Sequence, residues 1–172
     1  MRIAKYIAKA GVCSRREAER LIEQGHVNLN GSLVTTPALN ISERDEVQVK
    51  GISLTAPSAP RLWCYHKPAG LVTTHKDEQN RPTVFENLPK DLTQDVGHII
   101  SIGRLDLNTE GLLLLTNDGD LARFLELPDN GFERRYRVRA RGTTTQKKLD
   151  DLAKGLKIDG VRYRPIQAQL AK

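Results

Sequence analysis

Residues 101–118 read SIGRLDLNTEGLLLLTND. Leu112 to Leu115 form an unbroken apolar run with the length of a buried strand, bounded by Gly111 on one side and an Asn117–Asp118–Gly119 turn on the other. A charged pair, Arg104 and Asp106, stands just before the run in a Gly-bounded turn. The strand anchors a rigid loop, and the loop presents the carboxylate. If the turn is extended, Leu105 and Leu107 point to the opposite side. Burial raises a carboxyl pKa, and a guanidinium within about 4–6 Å lowers it, so Arg104 is placed to keep Asp106 ionised in a partly dry pocket. On residue chemistry alone, a structural ion pair at the strand entrance stays open as an alternative.

Working outward, residues 120–127 predict a helix with Leu121, Phe124 and Leu125 inward. RYRVRAR, 135–141, alternates strictly: Tyr136, Val138 and Ala140 share one face of an expected strand, and Arg135, Arg137, Arg139 and Arg141 the other. Residues 144–155 predict a helix burying Leu149, Leu152 and Ala153, followed by a hairpin turning at Asp159–Gly160. Upstream, Leu62 to Tyr65 form an expected strand, HKPAGLVTT a loop running into another, and RPTVFENLP a turn or short helix. TAPSAPR, 55–61, has two prolines and no periodicity, so it reads as a mobile linker.

The first 54 residues form a separate module. Ile3, Ile7 and Ala10 recur at helical spacing before Gly11. Ser14 and Glu17 make a capping box for a second helix with Ala18, Leu21 and Ile22 inward, ending at Gly25. HVNLNGSLV predicts a hairpin at Asn30–Gly31, and DEVQVKG a third short strand. Arg15 and Arg16 occupy the first turn of the second helix, where cations are mildly unfavourable unless an anion such as a phosphate binds there. The polar turn with Asn28, Asn30 and Gly31 could face the same ligand. The expected fold class is α+β: a small helix–helix–β-hairpin module (1–54), a linker (55–61), and a mixed, mainly antiparallel sheet with flanking helices (62–172).

No apolar run reaches the ~18 residues that a membrane-spanning helix needs. The N-terminus is a poor signal peptide. Cys13 and Cys64 lack ligand-like spacing, so free thiols, no metal and a cytoplasmic location are expected. The net charge is +6, and it is uneven. Residues 131–172 hold 12 Lys/Arg against 4 Asp/Glu, whereas 51–130 hold 7 against 11. This concentration of positive charge points to a polyanion partner, nucleic acid before membrane.

RIAKYIAKAGVCSRREAERLIEQGHVNLNGSLV resembles the S-four RNA-binding module. The resemblance implies that Ser14, Arg15, Arg16, Arg20, Asn28 and Asn30 lie on an RNA-facing side. GRLDLNTEGLLLLTNDGDLA resembles the signature of the ribosomal RNA pseudouridine synthases that carry such a module in front, and YHKPAGLVTT and RRYRVRARG match two further stretches of that family in order. The resemblance implies that Asp106 is the catalytic aspartate, Arg104 its partner and Tyr136 the ring stacking on the target uracil. It places Lys67, Arg135, Arg137 and Arg139 among the RNA-binding residues. DEQNRPTVFENLP is more similar to the large-subunit members.

The reaction implied needs no cofactor, because uridine and pseudouridine are isomers. The expected partner is ribosomal RNA or a ribosome assembly intermediate, met by a monomer. The family runs on past this point with a basic segment that closes the sheet, so the resemblance implies a chain that is truncated at QAQLAK. Rival readings are a small-subunit RNA target, a non-catalytic RNA-binding or ribosome-assembly protein on the same scaffold, and a paired-carboxylate hydrolase. The hydrolase is disfavoured because no second carboxylate has an evident role near Asp106.

Overall fold

The structure, a computed structural model, describes residues 1–42, 44–93 and 96–171. By its internal contacts the chain divides into two compact units, Met1–Phe132 and Glu133–Lys172.

The first unit begins with helices α1 (Ile3–Lys9) and α2 (Arg15–Glu23). Ser14 accepts a hydrogen bond from the Glu17 N–H at 3.3 Å, as the capping signal requires. Four short antiparallel strands follow: β1 (Val27–Leu29), β2 (Ser32–Leu33), β3 (Val47–Val49) and β4 (Ile52–Ser53), in the order β2-β1-β3-β4. Asn30 and Gly31 both take positive φ, the geometry of a tight hairpin turn. Lys50 and Gly51 do the same and add β4, which the sequence reading did not expect because lysine is a weak turn signal. Ile3, Ile7, Ala18, Ile22, Val27 and Val47 make the core between helices and sheet.

Strand β5 (Leu62–Lys67) pairs along its whole length with the leucine strand β7 (Gly111–Thr116), and β6 (Ile100–Ile102) closes the far side of β7. The sheet is antiparallel, in the order β5-β7-β6. Short helix α3 (Lys90–Thr93) precedes β6, and α4 (Gly119–Glu126) follows β7. Leu113 and Leu115 are buried with Leu71, Val84, Val96 and Ile99 in a second core. RPTVFENLP contributes one 3-10 turn, Phe85–Asn87. The strand expected after the Pro/Gly loop is reduced to a single bridge, Val72 to Thr83. In α4 only Ala122 is buried, and Phe124 instead lies exposed, edge-on to Phe132.

The two cores of this unit are joined by polar contacts between residues far apart in sequence. Asp118 caps α4 through Oδ1, accepting from the Asp120 and Leu121 N–H groups. Its Oδ2 meets Lys9 Nζ at 2.8 Å, and Lys5 pairs with Asp120 at 2.7 Å. Burial alone would raise the Asp118 carboxyl, but the Lys9 ammonium and the two helix N–H groups outweigh it and hold it below its ordinary value. Gly11, at φ +85°, lies so close to Gly97 that a Cβ there would overlap the Gly97 backbone. The 55–61 segment does have docking contacts. Asn117 accepts from the Arg61 N–H and donates to Ser58 and Ala59, and the Thr116 hydroxyl donates to the Arg61 carbonyl.

In the second unit the described backbone forms no strand over 133–141, contrary to the alternating pattern. Tyr136 and Val138 are 60% and 80% exposed. Helix α5 (Gln146–Asp150) runs into a 3-10 turn, Asp151–Lys154, so the expected single helix changes its winding halfway. Leu149 and Leu152 are half-buried, but Ala153 is exposed. Strands β8 (Leu156–Ile158) and β9 (Val161–Tyr163) pair across Asp159–Gly160, both at positive φ, as the turn signal predicts.

Candidate active site

The leucine strand emerges from a loop, residues 103–110, that is fastened from beneath by one side chain. Lys67, the last residue of β5, is fully buried. Its ammonium donates to the carbonyls of Pro68 (3.0 Å), Asp106 (3.0 Å), Leu107 (3.4 Å) and Thr109 (2.7 Å). Burial lowers its pKa, and the Asp106 charge opposes this. Lys67 is therefore not an RNA-facing residue as the resemblance implied. It ends β5 on the core side and gathers the loop's backbone oxygens. Thr73 adds a second tie, donating to the Leu105 carbonyl at 2.8 Å and accepting from the Leu105 N–H at 3.3 Å. The Gly70 N–H donates to the Leu107 carbonyl at 2.7 Å.

Apart from the Lys67–Pro68 bond, every one of these bonds is to the loop backbone. The Asp106 side chain is left exposed, facing a cleft of about 510 Å³ that Thr73, Arg104, Leu105, Asp77 and Arg81 also line. Leu105 packs against the second core, as the alternation predicted. Arg104 and Asp106 share the cleft, but among the described residues no ion pair joins them.

Asp77 and Arg81 were not singled out in the sequence: their i, i+4 spacing signals a pair only on a helix, whereas residues 77–81 form a turn in which Asp77 accepts from the Gln79 and Arg81 N–H groups. The Arg81 guanidinium grips Asp77 with Nη2 on Oδ1 (2.7 Å) and Nε on Oδ2 (3.1 Å). The Arg81 side chain, with the Arg81 backbone N–H, pulls the Asp77 carboxyl down to about 2. A second carboxylate does therefore line the cleft. With both oxygens engaged and its pKa so low, it stays ionised near neutrality and is no proton donor. Asp77 therefore does not supply the protonated partner that a paired-carboxylate hydrolase needs.

The other site residues are spread over both units. In the first module Arg15 pairs with Glu19 at 3.5 Å and Arg20 with Glu17 at 3.2 Å, on an open surface. Arg16 is exposed beside the Ser14 cap. Asn28 is half-buried on β1. The Asn30 amide has structural partners: it donates to Asp45 at 2.8 Å and accepts from the Glu46 N–H at 2.8 Å. Tyr136, Arg135, Arg137 and Arg139 belong to the second unit and are exposed, with Arg135 reaching Glu133 at 3.3 Å. Among the described residues no group of His, Cys, Asp and Glu is arranged to hold a metal ion. No helix of the described residues is long and apolar enough to cross a membrane.

A helical module with a small hairpin sheet is thus followed by an antiparallel sheet that offers the Asp106 carboxylate in an open cleft lined also by Asp77, Arg81 and Arg104. Residues 1–47 match the S4 domain family, and residues 61–169 match the RNA pseudouridylate synthase family; the chain belongs to the latter, with an S4 domain in front. It is 50% identical over 171 residues to an uncharacterized RNA pseudouridine synthase of Rickettsia felis, covering 99% of this chain and 72% of that one. It is 35% identical over 172 residues to the ribosomal large subunit pseudouridine synthase B of Bacillus subtilis, covering 98% and 67%. A crystal structure of a pseudouridylate synthase matches it with a TM-score of 0.61 at 27% identity, covering all of this chain and 73% of that chain.

Proposed function

We propose that this chain isomerises a specific uridine of ribosomal RNA to pseudouridine, with Asp106 as the catalytic carboxylate. The observation that carries the proposal is the Asp106 loop: Lys67 fixes its backbone through three of its carbonyls, and the one exposed carboxylate stands in a cleft beside Arg104. The reaction breaks the bond from uracil N1 to the ribose, turns the base over and rejoins it through carbon C5. The C5 proton leaves and N1 gains one, so atoms balance without redox change or external group. One carboxylate suffices, by attack on the sugar or by removal of a ribose proton. A fixed backbone limits the small misplacements that weaken such chemistry. Arg104 supplies positive charge near the developing intermediate, and the Tyr136 ring holds the extruded uracil by stacking, worth roughly 1–3 kcal/mol.

Residues 1–54 serve as the RNA-binding module, 55–61 as the connection and 62–172 as the catalytic domain. Ser14, Arg15, Arg16, Arg20, Asn28 and Asn30 contribute to the RNA face of the module, and Arg135, Arg137 and Arg139 to that of the catalytic domain. Similarity to large-subunit enzymes favours large-subunit RNA, in the cytoplasm, as the substrate. The test is to map pseudouridine in ribosomal RNA from cells with and without the gene. One large-subunit position should lose its pseudouridine. Unchanged maps would refute the proposal.

A further inference from the structure

A second cavity, about 630 Å³, adjoins the Asp106 cleft and shares Thr73, Thr74 and Arg104 with it. The first module contributes Ser14 and Arg16 to its wall, and the catalytic part contributes His75 and Phe85. The His75 ring lies on Phe85, centroids 3.6 Å apart and 12° from parallel, and against His98 at 4.4 Å. None of these rings has a part in the uridine chemistry.

The ring contacts fix His75 in orientation. The residue is exposed, but the ring is partly desolvated where Phe85 and His98 lie against it, and this first, then the His98 charge, lowers its pKa to about 4, so the ring is neutral at physiological pH. It is also hydrogen-bonded to the Ile99 backbone. A neutral imidazole has one N–H, and donating it to a carbonyl leaves the other nitrogen as an acceptor. A neutral acceptor is a poor phosphate ligand, but it suits a base that offers an amino or imino hydrogen. Phosphate-binding charge stands nearby, since Arg16 and Arg104 are exposed and form no ion pair among the described residues. The cavity also holds Glu126, whose Oε1 accepts from the Gly103 N–H at 2.7 Å. Sequence-specific RNA readers take single-stranded bases by their edges, and extruding one nucleotide frees its neighbours from the stack.

We propose that the second cavity binds a nucleotide flanking the target uridine, with Arg16 and Arg104 meeting its phosphates and His75 accepting a hydrogen bond from its base. This rests on reading the Asp106 cleft as the uridine site. Two parts of the chain then select the substrate jointly, because the subsite is built from both.

The test uses the full chain and transcribed large-subunit RNA to locate the uridine modified. Short RNAs carrying that uridine follow, with each neighbour in turn made abasic. In the wild type one abasic neighbour should lower kcat/KM about tenfold, the scale of one lost specific hydrogen bond. His75→Ala and His75→Phe should each cause a similar loss on intact RNA and no further loss on the abasic RNA. His75→Phe keeps an aromatic ring in the stack, so it separates the acceptor from the packing. Indifference of the wild type to both neighbours, wild-type behaviour of His75→Phe, or losses that multiply would each overturn the proposal. A wild type that makes no pseudouridine refutes the uridine reading instead. The cavity is then judged by binding of uridine-containing single-stranded RNA, where unchanged affinity of the His75→Ala variant overturns the subsite and a loss of threefold or more supports it.

Discussion

The Asp106 loop and the arginine-rich stretch 135–141 carry equally strong sequence signals, yet they stand in opposite structural states. The loop opens a strand whose neighbours β5 and β6 lie on either side, and a buried ammonium gathers three of its carbonyls together with that of Pro68. The stretch has flawless alternation, but its apolar positions stand in solvent: Val138 is 80% exposed. Alternation describes which face a side chain would take once the backbone is paired, and it supplies no partner for the backbone. A strand is a property of a pair, so one that lacks its neighbour cannot be recognised from its own residues.

The largest expected effect removes the support of the ordered region. Lys67→Met leaves four carbonyls without their shared donor and should destabilise the first unit by roughly 2–5 kcal/mol, measured by urea unfolding. A loss under about 1 kcal/mol would mean that the loop holds its shape without this lysine.

The exposed region should behave in the opposite way. Tyr136→Ala should cost under about 0.5 kcal/mol of stability, because the ring is largely in solvent. Its activity should fall by the equivalent of about 1–3 kcal/mol of lost stacking, with Tyr136→Phe close to wild type. A Tyr136→Phe variant as inactive as the alanine would assign the role to the hydroxyl.

Asp118→Asn keeps part of the α4 cap and removes the ionic bond to Lys9, which should cost about 1–2 kcal/mol at neutral pH. The folded carboxyl lies below its ordinary value of 3.8, so its contribution is complete above that pH and is lost as pH falls through the lower folded value. Wild type and variant should therefore converge in stability in acid. A constant gap down to pH 2 would locate the effect in packing.

The smallest effect on stability, a few tenths of a kcal/mol in either direction, is expected for Arg15→Ala with Arg16→Ala. The same pair should make the salt dependence of RNA affinity shallower by up to about 2 in log–log slope. An unchanged slope would move the RNA face elsewhere on the module.

Local signals were legible where one residue type meets one backbone demand. Asn30–Gly31 and Asp159–Gly160 turn at positive φ, Ser14 caps its helix, and the four leucines form a strand. Only Leu113 and Leu115 of that run are buried and Leu112 is exposed, so the run is one-sided where a buried strand was expected. Features that depend on distant partners were not. Lys67 reads as a surface cation until the chain brings the carbonyls of residues 106–109 over it. Nothing near Lys5 and Lys9 in the sequence points to their partners, Asp120 and Asp118, more than a hundred residues on. Asp106 itself was singled out through the family resemblance, whereas its chemical surroundings, with Arg81 gripping Asp77, emerged only from the fold.

The central claim is that the Asp106 loop is built to present a carboxylate while its backbone alone holds the shape. Asp106→Asn separates the two, because the buried ammonium bonds to the main-chain oxygen and the side chain is exposed. Pseudouridine formation on large-subunit RNA by this variant, measured beside thermal unfolding and RNA affinity, is the direct test. Activity should fall by about a thousandfold or more with the other two nearly unchanged, the pattern of an interaction made only in the transition state. Activity within tenfold of wild type in a folded, RNA-binding variant would contradict the assignment of Asp106.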